Sequence, residues 1–153
     1  MVGRGEVRLP AAGSSVLFSS ARSPHCFKVS IALLELGVAF DRVEIDLPAR
    51  EQKTPDYLAI NPRGQVPAYL DADGAHLDSL DILLHLDARH RSAGLFPADP
   101  IAYDAVLAWI ALSNGAMRNV SHQLYWQLPE PPAEGPDVGR VAELRAQGDA
   151  LLD

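Results

Sequence analysis

The spacing of apolar positions changes along the chain in a way that predicts alternating strands and helices. Val16-Leu17-Phe18 is a brief apolar run that stops at Ser19-Ser20, which is the length of a buried strand and too short for a helix. Pro24 suits the first turn of a helix, where its missing N–H is one of the donors left unpaired in any case. Behind it Phe27, Ile31, Leu34 and Leu36 recur at helical spacing, with Ala32 and Leu33 widening the apolar face, and Gly37 closes the helix. From Phe40 to Leu47 the period falls to two, with Val43, Ile45 and Leu47 opposed to Arg42, Glu44 and Asp46, which predicts a half-buried strand. Arg50 to Ile60 carries a weak helical pattern through Tyr57, Leu58 and Ile60. Val66–Leu70 and Ala75–Leu77 flank an Asp-Ala-Asp-Gly turn and predict a hairpin, and Ser79–His90 has Leu80, Leu83, Leu84 and Leu86 on one face of a third helix.

A helical crossover between parallel strands, followed by an antiparallel hairpin on the same sheet, is the topology of a thioredoxin-like α/β domain, here over residues 16–92. Residues 1–15 mix Arg4, Glu6 and Arg8 with small residues and lack the apolar core of a signal peptide, so they read as a disordered leader. Residues 93–100 form a linker, and 101–153 an incomplete all-helical domain. In the latter, Val106, Trp109, Ile110, Ser113, Met117, Val120 and Leu124 mark one face of a long helix from Pro100 to Gln127, with Gly115 as the place for a bend. Trp109, Met117 and Tyr125 read as packing residues. The prolines between Pro129 and Pro136 end that helix, and Asp137 caps a last one carrying Val138, Val141, Leu144, Leu151 and Leu152.

A formal net charge of −7 and the lack of basic runs argue against a nucleic-acid partner, which needs cations to displace counterions. No run approaches the roughly 18 apolar residues of a membrane span, so a soluble, cytoplasmic protein with no membrane partner is expected. The single cysteine, Cys26, excludes an intramolecular disulfide and disfavours a cysteine-based zinc site. Asp81, His85 and His90 on the third helix are spaced for neither a metal cluster nor a catalytic triad; a solvated face and no metal are expected there.

Two stretches carry candidate chemistry. In Asn61-Pro62-Arg63-Gly64-Gln65-Val66-Pro67 the first proline and the glycine mark a turn, and Pro67 stands where a strand begins, a position that tolerates its missing donor. Val66–Pro67 is a candidate cis bond, and Val66 would present its N–H and C=O outward to an extended, peptide-like ligand. In Ser23-Pro24-His25-Cys26, serine occupies the place where redox enzymes of this fold carry the first cysteine of Cys-x-x-Cys, so disulfide exchange lacks its attacking thiolate. A serine hydroxyl there can donate a hydrogen bond to a thiolate brought from outside. The plainer alternatives are Ser23 as a helix cap, Asp78-Ser79 as a mere helix start, and Cys26 as a small buried hydrophobe. His25 has no partner carboxylate in sequence and is left outside the site.

Leu17-Phe18-Ser19 followed by Ser23, the Asn61–Pro67 stretch, Asp78-Ser79, and Phe96-Pro97 before a helical segment together resemble the cytosolic glutathione transferases, over roughly Val16 to Gln127. Ser23 looks like the catalytic serine of the theta, zeta and phi classes. The resemblance implies a detoxifying enzyme that takes reduced glutathione as co-substrate, activates its thiol and adds it to a small electrophile, with isomerase or dehalogenase chemistry as variants on the same thiolate. By similarity Val66 and Gln65 would hold the tripeptide backbone, Asp78 the γ-glutamyl ammonium, Ser79 the neighbouring carboxylate, and Gln52 and Lys53 the glycine carboxylate. Ser79 has an independent physical basis, since a helix N-terminus favours an anion. The family implies a homodimer and more helices than 101–153 supplies, so the apolar faces after the linker need a partner subunit or further chain to cover them. A non-catalytic or truncated glutathione-binding or protein-interaction module is the alternative, and a thiol oxidoreductase using Cys26 alone a third possibility.

Overall fold

The computed structural model describes residues 10–117, 119, 120, 123 and 137–151, which divide into two compact units, Met1–Phe96 and Pro97–Asp153. In the first, strand β1 (Val16–Ser19) leads into helix α1 (Pro24–Glu35) and strand β2 (Asp41–Glu44). A 3-10 turn (Glu51–Lys53), the short helix α2 (Pro55–Ile60), the hairpin β3 (Ala68–Asp71) and β4 (Gly74–His76), and helix α3 (Ser79–Arg89) follow. The sheet order is β2-β1-β3-β4. β1 pairs parallel with β2, from Val16 opposite Asp41 to Ser19 opposite Glu44, and antiparallel with β3, where Phe18 faces Ala68. This is the thioredoxin-like arrangement that the element order predicts.

Both faces of the two central strands are covered, which is why β1 and β3 read as continuous apolar runs. On one face Phe18, Ile45, Tyr57, Ile60, Ala68 and Leu70 form a cluster closed by Val16, Leu47, Val66 and Leu77. Alternation turns Leu17 and Tyr69 to the other face, and Val29 and Leu33 of α1 with Ile82, Leu83 and Leu86 of α3 are buried as these two helices pack together.

Three expectations are corrected here. The buried stripe of α1 is Cys26, Val29, Ala32 and Leu33, whereas Phe27, Ile31 and Leu34 lie on its open side, Phe27 and Leu34 at 68% and 69% exposure. The helix is apolar on two stripes, and the sheet selects one. The second strand is only Asp41–Glu44, exposed along its length as an edge strand; Ile45 and Leu47 reach the core from beyond its end, while Val43 does not. The single long helix after the linker is interrupted: α4 (Pro100–Leu112) runs into a π-turn (Ser113–Met117) where Gly115 leaves helical geometry, at φ −97° and ψ −105°. Trp109, expected in the core or between domains, is 66% exposed and so is not part of the core of this unit.

The second unit ends in helix α5 (Val138–Asp149), capped by Asp137, whose side chain accepts from the Arg140 N–H as expected of it. Val120, Val141 and Leu144 are its buried apolar residues among those described. Tyr125, Leu124, Leu152 and the proline-rich stretch 129–136 lie outside the described residues, as does the expected leader up to residue 9. Within residues 10–15, Ser15 is buried and its hydroxyl donates to the Ala39 carbonyl at 3.0 Å. No helix among the described residues is long and apolar enough to cross a membrane.

Candidate active site

The first unit brings three chain features to one end of its sheet: the start of α1 beyond β1, the loop that enters β3, and the start of α3. Ser23 is the N-cap of α1, with extended backbone (φ −109°, ψ 115°), and Pro24 follows in the first turn. Its Oγ accepts a long hydrogen bond of 3.3 Å from the Cys26 N–H, so the capping role holds geometrically. The residue is buried, at 8% exposure. Cys26 beneath it is 1% exposed. Burial pushes its thiol pKa up, against hydrogen bonds from the Ser23 side chain, the Ser20 backbone and the Ser19 side chain that pull it down. Cys26 is therefore a sheltered thiol whose burial disfavours the thiolate, as in the plainer alternative of a small buried hydrophobe.

The Asn61–Pro67 loop is pinned from three sides. Asn61 is fully buried; its Nδ2 donates to the Gln65 carbonyl at 2.8 Å and its Oδ1 accepts from the Arg63 N–H at 3.1 Å. The Tyr57 hydroxyl donates to the same Gln65 carbonyl at 2.7 Å. Burial, the largest cause, holds the Tyr57 pKa far above its ordinary value, so it stays a donor at any physiological pH. Arg63 extends from the loop, and its Nη2 donates to the Leu77 carbonyl at 2.8 Å, just before α3 begins. The backbone clamp leaves the Gln65 side chain exposed and Val66 half-buried at the rim. The Val66–Pro67 bond is cis, and no hydrogen bond engages the Val66 N–H or C=O among the described residues.

Gln52 and Lys53 are brought against this loop through Gly64. Gly64 has φ +57°, and a Cβ on it would lie 2.7 Å from both the Gln52 carbonyl and Lys53 Nζ, so the 3-10 turn touches bare backbone. Lys53 Nζ donates to the Arg63 carbonyl at 3.2 Å. The Gln52 Oε1 is buried with no hydrogen-bond partner, a costly state for an amide oxygen unless a donor arrives.

Asp78 is the N-cap of α3, its Oδ1 accepting from the Leu80 N–H at 2.9 Å, and Ser79 is the buried first residue of the helix. Lys28 on α1 feels the Asp78 carboxylate; burial lowers its pKa and Asp78 pulls in the opposite direction. Ser23, Gln65, Val66, Asp78 and Ser79 thus stand on neighbouring element ends, and Gln52 and Lys53 adjoin through the loop. Tyr57, Arg63 and Lys28 were not singled out from the sequence, nor was Asn61 given a role beyond its place in the turn. Asn61 was findable, since Asn opening a Pro-containing turn commonly bonds the backbone two residues on.

Residues 17–94 match the family described as glutathione S-transferase, N-terminal domain. The chain belongs to the glutathione S-transferase family. A glutathione S-transferase 3 of Zea mays is 31% identical over 141 residues, which is 90% of this chain and 63% of the relative. A maleylacetoacetate isomerase of Rhizobium meliloti is 41% identical over 98 residues, 63% of this chain and 46% of that protein. Among solved structures, the theta-class glutathione S-transferase of Xanthomonas axonopodis pv. citri with glutathione bound superposes with a TM-score of 0.81 at 26% identity, covering 90% of this chain and 66% of the other. The chain therefore spans less than two thirds of the length of these transferase-family relatives.

Proposed function

We propose that the protein binds reduced glutathione across the loop and the two helix starts, and activates its thiol with Ser23 for attack on a small electrophile. The observation that carries this reading is the position of the Ser23 hydroxyl at the open end of α1: its oxygen accepts from the Cys26 N–H, which leaves the hydroxyl proton for an acceptor. The nearby thiol is a weak acceptor, so an incoming thiolate would outcompete it. A thiol of pKa near 8.5 is only about 3% ionised at neutral pH. A hydrogen bond to the charged form contributes about 1.5–3 kcal/mol, and with 1.36 kcal/mol per pKa unit that hydroxyl together with the nearby helix N-terminus would bring the bound thiol to roughly 6–7.

In this reading the Val66 backbone pairs with the tripeptide as an added strand. Gln65 contacts its backbone, Asp78 receives the ammonium, and Ser79 with the α3 N-terminus receives the carboxylate. Gln52, through its amide N–H, and Lys53, as a cation, hold the glycine carboxylate. The glutathione-bound theta-class structure supports glutathione as co-substrate; a cytoplasmic homodimer is the working form in this reading. The maleylacetoacetate isomerase relative keeps isomerisation beside conjugation as the reaction drawn from the thiolate.

Calorimetric titration of the chain with glutathione, thiolate absorbance of the complex, and rates with a panel of electrophiles test this. In Ser23→Ala the thiolate signal disappears and the rate falls by about 10- to 100-fold, while glutathione affinity changes little. An undiminished rate and thiolate signal in Ser23→Ala would sink the mechanism. Binding without turnover in the native chain would instead favour the non-catalytic module.

A further inference from the structure

The β3–β4 hairpin and α3 carry a second cluster that the proposed function does not use. Asp71, the last residue of β3, His76, the last of β4, and His85 on α3 each offer one ligand atom, and the three atoms lie within 4.8 Å of one another. His85 Nε2 and Asp71 Oδ2 are 2.7 Å apart, with both side chains largely buried. The His76 ring stacks on His85 with centroids 3.8 Å apart and an interplanar angle of 25°. One of these two imidazoles comes from the hairpin and the other from α3, so the fold itself brings them together.

The groups behind these ligands are already in place. His76 Nδ1 lies 3.3 Å from Asp81 Oδ2, a carboxylate one side of the ring, which leaves Nε2 as the nitrogen free to ligate. That Nε2 is buried and has no hydrogen-bond partner. The Asp71 carboxylate is oriented by the Asp73 N–H, which donates to its Oδ1 at 2.9 Å. A carboxylate behind a ligating histidine, and a backbone donor on a ligating carboxylate, are the outer partners that fix ligands in metal centres.

We infer that Asp71, His76 and His85 form a binding site for a borderline divalent transition ion of the zinc type. Two imidazoles and one carboxylate select such an ion over magnesium or calcium, which prefer oxygen sets. Ligand bonds of about 2.0–2.2 Å in tetrahedral geometry place ligand atoms roughly 3.3–3.5 Å apart. The site meets that when Asp71 and His85 separate slightly and the two rings fan open. The proton between His85 Nε2 and Asp71 then moves to Nδ1 or to solvent as the ion replaces it. Three protein ligands leave one position for water, so the ion is exchangeable and fastens the hairpin to α3. The site uses none of the residues assigned to glutathione, though it adjoins them: Asp71 closes the strand that Pro67 precedes and His85 lies six residues, or about 9 Å, along α3 from Ser79, while His76 pairs with Tyr69 and stands two residues before Asp78.

The test is titration of the native chain, free of glutathione and chelator, with cobalt(II) followed by visible absorption, and with zinc(II) followed by calorimetry and thermal unfolding. One equivalent binds, with the d–d bands of a four- or five-coordinate ion, and zinc raises the unfolding temperature relative to chelator. His76→Phe keeps a ring to stack on His85 but removes a ligand, and lowers affinity at least tenfold; His85→Gln does the same, and Asp81→Ala weakens binding by about tenfold through His76. His90→Ala leaves it unchanged. Failure of the folded native chain to bind either ion at micromolar concentration overturns the assignment, as does binding that survives both His76→Phe and His85→Gln. Either result leaves Asp71–His85 as a structural hydrogen bond, and neither bears on glutathione binding or on Ser23.

Discussion

Arg63 donates from its guanidinium to the backbone carbonyl of Leu77 at 2.8 Å, and so ties the loop that enters β3 to the residue before the Asp78 cap of α3. These are the two pieces that the proposed function sets against the backbone and the γ-glutamyl end of one tripeptide. Holding them at fixed separation is a positioning task, and the Arg63–Leu77 bond is suited to it. Arg63 is exposed, so its bond contributes about 1 kcal/mol and not the full value of a buried charged pair. Arg63→Ala is expected to weaken glutathione binding about fivefold in calorimetry, with the rate at saturating glutathione unchanged. An unaltered affinity would show that the bridge positions nothing.

The Gln65 carbonyl has two donors, the Tyr57 hydroxyl and the Asn61 amide. Tyr57→Phe removes one hydrogen bond and costs about 1 kcal/mol, whereas Asn61→Ala also strips the Arg63 N–H of its acceptor and opens a fully buried site, for about 2–3 kcal/mol. The double variant is expected to cost more than the sum, because the carbonyl then has neither donor. Denaturant unfolding of the three variants measures this directly.

Gly64→Ala places a Cβ 2.7 Å from the Gln52 carbonyl and from Lys53 Nζ at a residue with φ +57°. The lysine end can swing away; the carbonyl cannot. A loss of about 1–3 kcal/mol is expected, together with weaker glutathione binding as the 3-10 turn is pushed off the loop. Wild-type stability and affinity in this variant would mean the turn relaxes freely.

Ser23 has a structural role and a proposed chemical one, and two substitutions separate them. Ser23→Ala loses the cap at about 1 kcal/mol, but Ser23→Gly loses only a few tenths. Neither side chain can hydrogen-bond a thiolate, so both variants are expected to lose the same about 10- to 100-fold in rate although their unfolding curves differ. Full activity in Ser23→Gly would reduce Ser23 to its cap.

Cys26 and Tyr57 both have pKa values raised by burial, from ordinary values of 9.0 and 10.0. A raised pKa means that the folded chain keeps its proton where the unfolded chain has lost it. Stability from these groups is complete below about pH 9 and declines as pH rises above it, first through Cys26 and then through Tyr57. Unfolding measured from pH 7 to 11 should show that decline, and Cys26→Ala with Tyr57→Phe should flatten it. At neutral pH a thiol reagent should modify Cys26 only as fast as the protein opens.

The order of elements was legible in the sequence because each rests on local chemistry: period-two apolar residues at a strand, Ser23, Asp78 and Asp137 at helix starts, Gly37 at a helix end. So were the caps Ser23 and Asp78 and the turn at Asn61–Gly64, since caps and turns are written within a few residues of where they act. What the sequence left open were choices between equally apolar surfaces. α1 offers Phe27-Ile31-Leu34 and Cys26-Val29-Leu33 at the same helical period, and only the approach of the sheet and α3 determines which is buried. The partners of His85 were hidden for a related reason. Asp71 and His76 stand on strands, 14 and 9 positions away in the numbering, and meet it only when the hairpin packs under α3. Periodicity is a property of one segment; contact between segments depends on how they pack, and there the tertiary structure alone decided.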